Sequence, residues 1–424
     1  MGTVANLLQG VAVPKMLPIK QLFDDTHIPV EEIPAVVRKE MEQEKIKAQF
    51  KPGMSVAITA GSRGITNIAL IIKSIVEVLK EWGCKPFIVP AMGSHGGATA
   101  EGQQQMIAGY GITEEAMGCP IRSSMETVVC GQTPQGGPVR MDKNAYEADA
   151  IVLVNRIKTH TAFRGPYESG LMKMMAIGLG KQFGAQLIHE NGFKEAGELI
   201  PRYGKVILHN SPIKFGMAIL ENAYEQTLEL HALTVPEIET EEPKLLEKSR
   251  PHMPRLLFDS CDVLLVDKIG KNISGDGMDP NVSGRFAVPF VQGGIDAQRV
   301  AVLDLTDETH GNACGCGLAD VTTRRLFEKM DFEATYPNTV TNTVTGEMKI
   351  PMVMDTDKLA VQLCLKTCNY IDRANPRVIR IKDTNHVEEI MISEAMLEEA
   401  KANPNIVVLG EPEPMKFNDK DNFF

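Results

Sequence analysis

A chain of 424 residues, 43% apolar and 23% charged, has the composition of a globular protein and more length than one small core needs, which predicts two domains. Its net charge of −11, with no run of Lys and Arg, excludes a binder of the nucleic-acid backbone, whose affinity rests on clustered cations. No apolar run is long enough to span a bilayer, and "MGTVANLLQGVAVPKML" lacks the apolar stretch of a signal peptide, so a cytoplasmic protein without membrane or nucleic-acid partners is expected.

In chain order, the α/β pattern begins at residue 54. "MSVAITA" is a short apolar run closing in the turn "GSRG", and "ITNIALIIKSIVEVLKEWG" spaces its apolar residues as a helix and stops at glycine. "KPFIVPAMG" predicts a second strand, "SHGGATAEGQQQMIAGYG" a glycine turn running into a helix, and "DAIVLVNRIKTH" a third buried strand. "KVILHN" and "PIKFGMAILENA" continue the alternation. The stretch from 232 to 254 is rich in Pro and charge and reads as a linker. Beyond it, "CDVLLVDKIG", "RVAVLDLT", the helix "ADVTTRRLFEKM" and "DKLAVQLCLKTCNYI" form a second α/β pattern, with "NIVVLG" a final strand.

The expected fold is therefore α/β: two α/β domains with largely parallel sheets, and the active site in the cleft between them. The N-terminal domain spans 1–254 and the C-terminal domain 255–403, with the tail 404–424 returning to the first. Eight cysteines, none in paired CxxC spacing, read as buried thiols rather than a metal cluster.

In parallel sheets, ligands collect beyond the carboxyl ends of the strands. Arg63 follows the first strand, His95 the second and His160 the third, so the sheet brings one arginine and two histidines to one edge. Ser62 and Arg63, in "AGSRGIT" at the opening of a helix, suit a phosphate or carboxylate. His95 in "GSHGG" and His160 in "KTHTAF" titrate near neutral pH and suit proton transfer. Arg156, Lys158 and Arg164 give His160 a basic rim. Lys173, between Met172 and Met174, sits in apolar surroundings that favour a neutral, nucleophilic amine. His189 follows sixteen residues later; Gly178, Gly180 and Gly184 break the intervening helix, so the chain can fold back. Taken singly, each residue also has an ordinary reading: a solvated turn arginine, a surface or capping histidine, a lysine at a helix edge.

As an ordered set, His95, "EADAIVLVNRIKTH", the glycine-rich segment, Lys173 and His189 resemble the nickel-dependent lactate racemase family over roughly residues 50–200. The resemblance implies a nickel-pincer nucleotide, a pyridinium-3-thioamide-5-thiocarboxylic acid mononucleotide carrying Ni. Lys173 would tether it through the thioamide and His189 would ligate the metal, with the glycines giving a bulky cofactor room. It further implies a 2-hydroxy acid racemase or epimerase. One of His95 and His160 takes the hydroxyl proton, hydride passes from C2 to the cofactor and back to the opposite face, and the other histidine reprotonates the oxygen. Ser62 and Arg63 would hold the nucleotide phosphate or the substrate carboxylate. Arg63, Arg156, Arg164, Lys271 and Arg285 are candidate substrate contacts, and the arginines suit a dicarboxylate or sugar acid. The implied partners are the small-molecule substrate and the cofactor-synthesis proteins.

Two other readings remain open. "VAITAGSRGIT" also resembles the phosphate loop of NAD(P)-dependent short-chain dehydrogenases, although no tyrosine is followed by lysine at the fourth position. A non-catalytic nickel-nucleotide binding protein would need Lys173 and His189 but not both His95 and His160.

Overall fold

The computed structural model describes residues 2–62 and 64–424, in two compact units: 25–253, and 1–24 joined to 254–424. The boundary falls between Met253 and Pro254. Two features depart from the sequence reading. The N-terminal segment belongs with the C-terminal unit because strand β1 (Lys15–Gln21) is paired there, and the tail 404–424 stays in that unit as well.

In the unit 25–253, β2 (Ser55–Ala60) leads into helix α1 (Ile68–Glu81), then β3 (Lys85–Pro90) and α2 (Ala100–Ala108). The hairpin of β4 (Thr127–Gln132) and β5 (Pro138–Asp142) precedes β6 (Ala150–Arg156). A helical turn, Leu171–Lys173, then runs directly into a π-helix, Met174–Leu179, and on to α3 (Lys181–Glu190) and α4 (Phe193–Asn210). Strands β7 (Ile213–Glu221) and β8 (Thr227–Thr234) and helix α5 (Val235–Ser249) complete the unit.

The main sheet has the order β3-β2-β6-β7-β8, parallel except for the β7–β8 pair. Both faces are covered, so its strands are apolar throughout and residue parity assigns the face. Val56, Ile58, Val152 and Val154 point to the core that includes α1, where Ile71, Ile72, Ile75 and Leu79 are fully buried. Ala57, Ile151 and Leu153 point to the opposite core, shared with Met172, Met174, Met175 and Leu179 of the Lys173 segment. At roughly 1.5–3 kcal/mol for each fully buried large apolar side chain, these two layers hold that segment against the sheet.

Two expectations about local structure are corrected. "KVILHN" is the last turn and a half of α4, not a strand, because it extends the helical apolar spacing of Ala196, Leu199, Ile200, Ile207 and Leu208. The supposed linker is mostly α5, with Pro236 in its first turn and a capping box between Thr234 and Glu237. Its charge lies on a helix with an apolar side, on which Ile238 and Leu246 are buried.

The other unit adds β9 (Ser260–Ile269), β10 (Asp296–Leu305), β11 (Val321–Thr323), β12 (Met352–Met354), β13 (Val378–Ile381), β14 (Glu389–Ser393), β15 (Ile406–Val408) and β16 (Glu413–Pro414). Its sheet, β12-β11-β10-β9-β13-β14-β1-β15, is parallel as far as β13 and antiparallel beyond. The class is α/β in both units. All eight cysteines are buried and free. Among the described residues, no helix is long and apolar enough to cross a membrane.

Candidate functional site

The chain order reverses between β2 and β6: β3 lies on one side of β2, and β6 with β7 on the other. In parallel sheets, ligands collect at such a switch point, beyond the carboxyl ends of the strands. The loops after β2, β3 and β6 carry Ser62, His95 and His160, as the sequence predicts. Arg63 lies outside the described residues.

The Ser62–His95 pair is held from α2. His95 Nδ1 is 2.6 Å from Ser62 Oγ, and the Tyr110 hydroxyl donates to the Ser62 carbonyl at 2.7 Å. Buried Gln103, on α2, donates to the carbonyls of Gly93 at 2.9 Å and His95 at 3.2 Å. His95 itself is exposed. The turn at Ser62 is not a helix N-terminus, because α1 begins only at Ile68. The anion met just before that helix is internal: Thr66 N–H donates to Glu221 at 2.8 Å.

His160 is fixed by a buried carboxylate. Glu168 accepts from the His160 N–H at 2.7 Å and pairs with Arg250 at 3.0 Å. The Ala162 N–H donates to His160 Nδ1 at 3.0 Å. With that nitrogen accepting, the neutral ring carries its proton on Nε2. Burial, then the charges of Lys173, Lys158 and Arg164, push the His160 pKa well below the usual histidine range. His189 is lowered to about 4, by burial first and by the Lys173 charge second. His160 and His189 both lie against Phe193, with ring centroids 6.1 and 5.2 Å away. The structure thus brings His160, Lys173 and His189 into one electrostatic neighbourhood.

Local chemistry sets the Lys173 segment. The Asn155 side chain on β6 donates to the Gly170 carbonyl at 2.7 Å. Both carboxylate oxygens of Glu242, fully buried on α5, accept from the Met172 N–H at 3.2 and 3.1 Å. A carboxyl group at a helix start meets its unpaired N–H groups. Burial raises the Glu242 pKa to about 8. A Cβ on Gly170 would come within 2.1 Å of Glu242 Oε1, so a larger residue there must displace that carboxylate.

The glycines that follow do a different job from the one expected. At Gly178 a Cβ would come within 2.7 Å of the Ala91 carbonyl, and at Gly180 and Gly184 within 2.3 Å of the Ala176 carbonyl. They let the π-helix seat against the His95 loop and the start of α3 against the π-helix. The helix breaks after Gly180, where Lys181 takes φ +54°, while Gly184 lies inside α3.

Among the described residues, the four other proposed substrate cations have partners within the protein. Arg156 pairs with Glu221 across β6 and β7. Arg164 donates to the carbonyls of His160 and Phe163 and faces Glu168. Lys271 donates to the Gly275 carbonyl, and Arg285 pairs with Asp320 at 2.7 Å while donating to the carbonyls of Ala297 and Gln298. These contacts give all four cations structural roles that the sequence did not signal. Glu168, Glu242, Gln103 and Phe193 are further site-shaping residues that the sequence reading missed. The carboxylates act over separations of 8 to 82 residues, which no short motif records.

Lys173 offers an amine, and His189 is held neutral, the state that donates to a metal. Among the described residues, no group of three or more His, Cys, Asp and Glu could hold a metal ion by itself.

Residues 12–197 match the model of the lactate racemase N-terminal domain. Among solved structures, the lactate racemase apoprotein from Thermoanaerobacterium thermosaccharolyticum aligns at 12% identity and a TM-score of 0.42, over 68% of this chain and 74% of that one. A protein from Thermotoga maritima aligns at 13% identity and a TM-score of 0.44, over 65% and 70%. No curated protein matches. The matched segment, rather less than half of the chain, holds Ser62, His95, His160, Lys173 and His189, and over that segment the chain is similar to the lactate racemase N-terminal domain.

Proposed function

We propose that the protein is an isomerase that inverts C2 of a 2-hydroxy acid, using a nickel-pincer nucleotide tethered to Lys173 and ligated by His189. The observation that carries this reading is the convergence of His160, Lys173 and His189 inside the family-matched segment, with His95 on a neighbouring loop of the same sheet edge. When bound, such a nucleotide supplies reversible hydride acceptance.

The protein's own part is orientation and proton transfer. With Nδ1 bonded to Ser62, His95 as the Nδ1–H tautomer carries on Nε2 the lone pair that takes a substrate hydroxyl proton. His160, with its proton on Nε2, presents a hydrogen-bond donor to the substrate oxygen. Inversion exchanges their roles only when one ring is neutral and the other is imidazolium, so His160 reprotonates the product once it has gained a second proton. Tethering through a thioamide nitrogen removes the Lys173 charge, which relieves the repulsion that disfavours protonated His160.

The test is intact mass and nickel content on protein produced together with cofactor-synthesis proteins, followed by racemisation assays on a panel of 2-hydroxy acids. A nickel-bearing adduct mapped to Lys173, with exchange of stereochemistry at C2, is the expected result. An unmodified, nickel-free chain, alongside a control protein that does become loaded, overturns the proposal.

A further inference from the structure

Lys181 lies between the tether and metal-ligand positions, yet neither role uses it. It is fully buried, a rare state for lysine, and its ammonium group has two hydrogen-bond acceptors and one ion-pair partner. These are the Pro90 carbonyl at 2.6 Å, Gln103 Oε1 at 3.3 Å and Asp142 Oδ2 at 3.0 Å. Its backbone is left-handed, at φ +54°, a conformation that non-glycine residues keep only when their surroundings enforce it.

The geometry has a directional consequence. The ammonium takes Gln103 Oε1, so the Gln103 amide nitrogen must face the other way. There it donates to the carbonyls of Gly93 and His95. Lys181 also grips the carbonyl of Pro90, the last residue of β3, where the His95 loop begins. The same loop is bonded to the π-helix by the Gly93 N–H to the Gly178 carbonyl at 3.3 Å. Lys181 therefore fixes the loop at its root and, through Gln103, at its tip. It is also the first residue of α3, which carries His189 eight residues on, about 12 Å along a helix.

We propose that Lys181 is a positioning residue for His95, acting through the orientation of the Gln103 amide and setting that loop relative to the helix of His189. Asp142 balances its charge and is itself fixed by the Ala145 N–H at 2.8 Å. The role of His95 in proton transfer rests on the function proposed above; the placement of its loop does not.

The experiment compares the wild-type chain with Lys181→Met and Gln103→Leu. The second variant keeps the buried Lys181–Asp142 pair and is the decisive one if the first fails to fold. In the cofactor-free full chain, both variants are expected to speed hydrogen exchange of the amides from Gly93 to Ala98 by at least about 10-fold and to shift the His95 ring nitrogen resonances, while α1 exchanges as before. In the nickel-loaded protein, kcat is expected to fall about 10- to 100-fold, with KM within about threefold and nickel content unchanged. A folded Gln103→Leu chain with wild-type loop exchange and wild-type His95 resonances overturns the proposal, as does an unchanged kcat in loaded protein. If the wild-type protein racemises nothing while the variants still show the loop changes, the positioning assignment holds and the enzymatic reading is the one that fails.

Discussion

His95 Nδ1 and Ser62 Oγ stand 2.6 Å apart, linking the loops that follow two adjacent parallel strands. The contact is the shortest route by which the β2 loop orients the imidazole of the β3 loop. It fixes the ring at Nδ1, and it rests in turn on Tyr110, which grips the Ser62 carbonyl.

Removing the partner and removing the ring should therefore differ in degree. In nickel-loaded protein, His95→Ala is expected to lower kcat by about 10²- to 10⁴-fold, the usual range for a lost acid/base group. Ser62→Ala leaves the base but frees its orientation, and a loss of about 10-fold is expected. Initial rates of racemisation with nickel content measured on the same samples check both. Wild-type rates in His95→Ala would remove it from proton transfer.

The charge on Lys173 holds down both neighbouring histidines. In the cofactor-free chain, Lys173→Met should raise the pKa of His160, and raise that of His189 from its value of about 4. Proton NMR titration of the histidine ring resonances reads this directly. Unmoved titrations would mean that the three side chains do not share an electrostatic neighbourhood.

Glu242 makes an opposite kind of prediction. Its folded pKa is raised to about 8, by burial, so between the unfolded value near 4.5 and about 8 the folded chain binds the extra proton. Stability from this group is full below about 4.5 and is lost as pH rises through that window. Glu242→Gln keeps an acceptor for the Met172 N–H and should flatten this alkaline loss. Glu242→Ala leaves that N–H buried and unsatisfied and should cost about 1–3 kcal/mol. Urea denaturation at several pH values distinguishes them; identical pH profiles for wild type and Glu242→Gln would refute the assignment.

Glu168 bonds the His160 backbone and meets Arg250 from a fully buried position. Glu168→Gln is expected to destabilise the chain by about 1–3 kcal/mol and to lower kcat, with nickel loading preserved. Denaturation midpoints and single-turnover rates test it. A destabilised variant with an undiminished rate would reduce Glu168 to a purely structural part.

The sequence by itself determined the class of the fold and the strand ends on which the chemistry sits. Short apolar runs such as "SVAITA" and "AIVLV", bounded by turn residues, read as strands buried on both faces, and residues just beyond them emerge at one edge. The same local logic picked out Ser62, His95 and His160, and motif order added Lys173 and His189. Tertiary structure decided what those residues touch. Asn155 reaches Gly170 over 15 residues, Lys181 reaches Pro90 over 91, and Gln21 of the first strand reaches Val387 over 366. Contacts at such separations leave no periodic trace, so neither the Glu221 partner of Arg156 nor the burial of Lys181 is visible in the local sequence. Hydrophobic spacing is local and encodes the elements. The pairing of buried charges is non-local, set by which elements the sheet order makes neighbours.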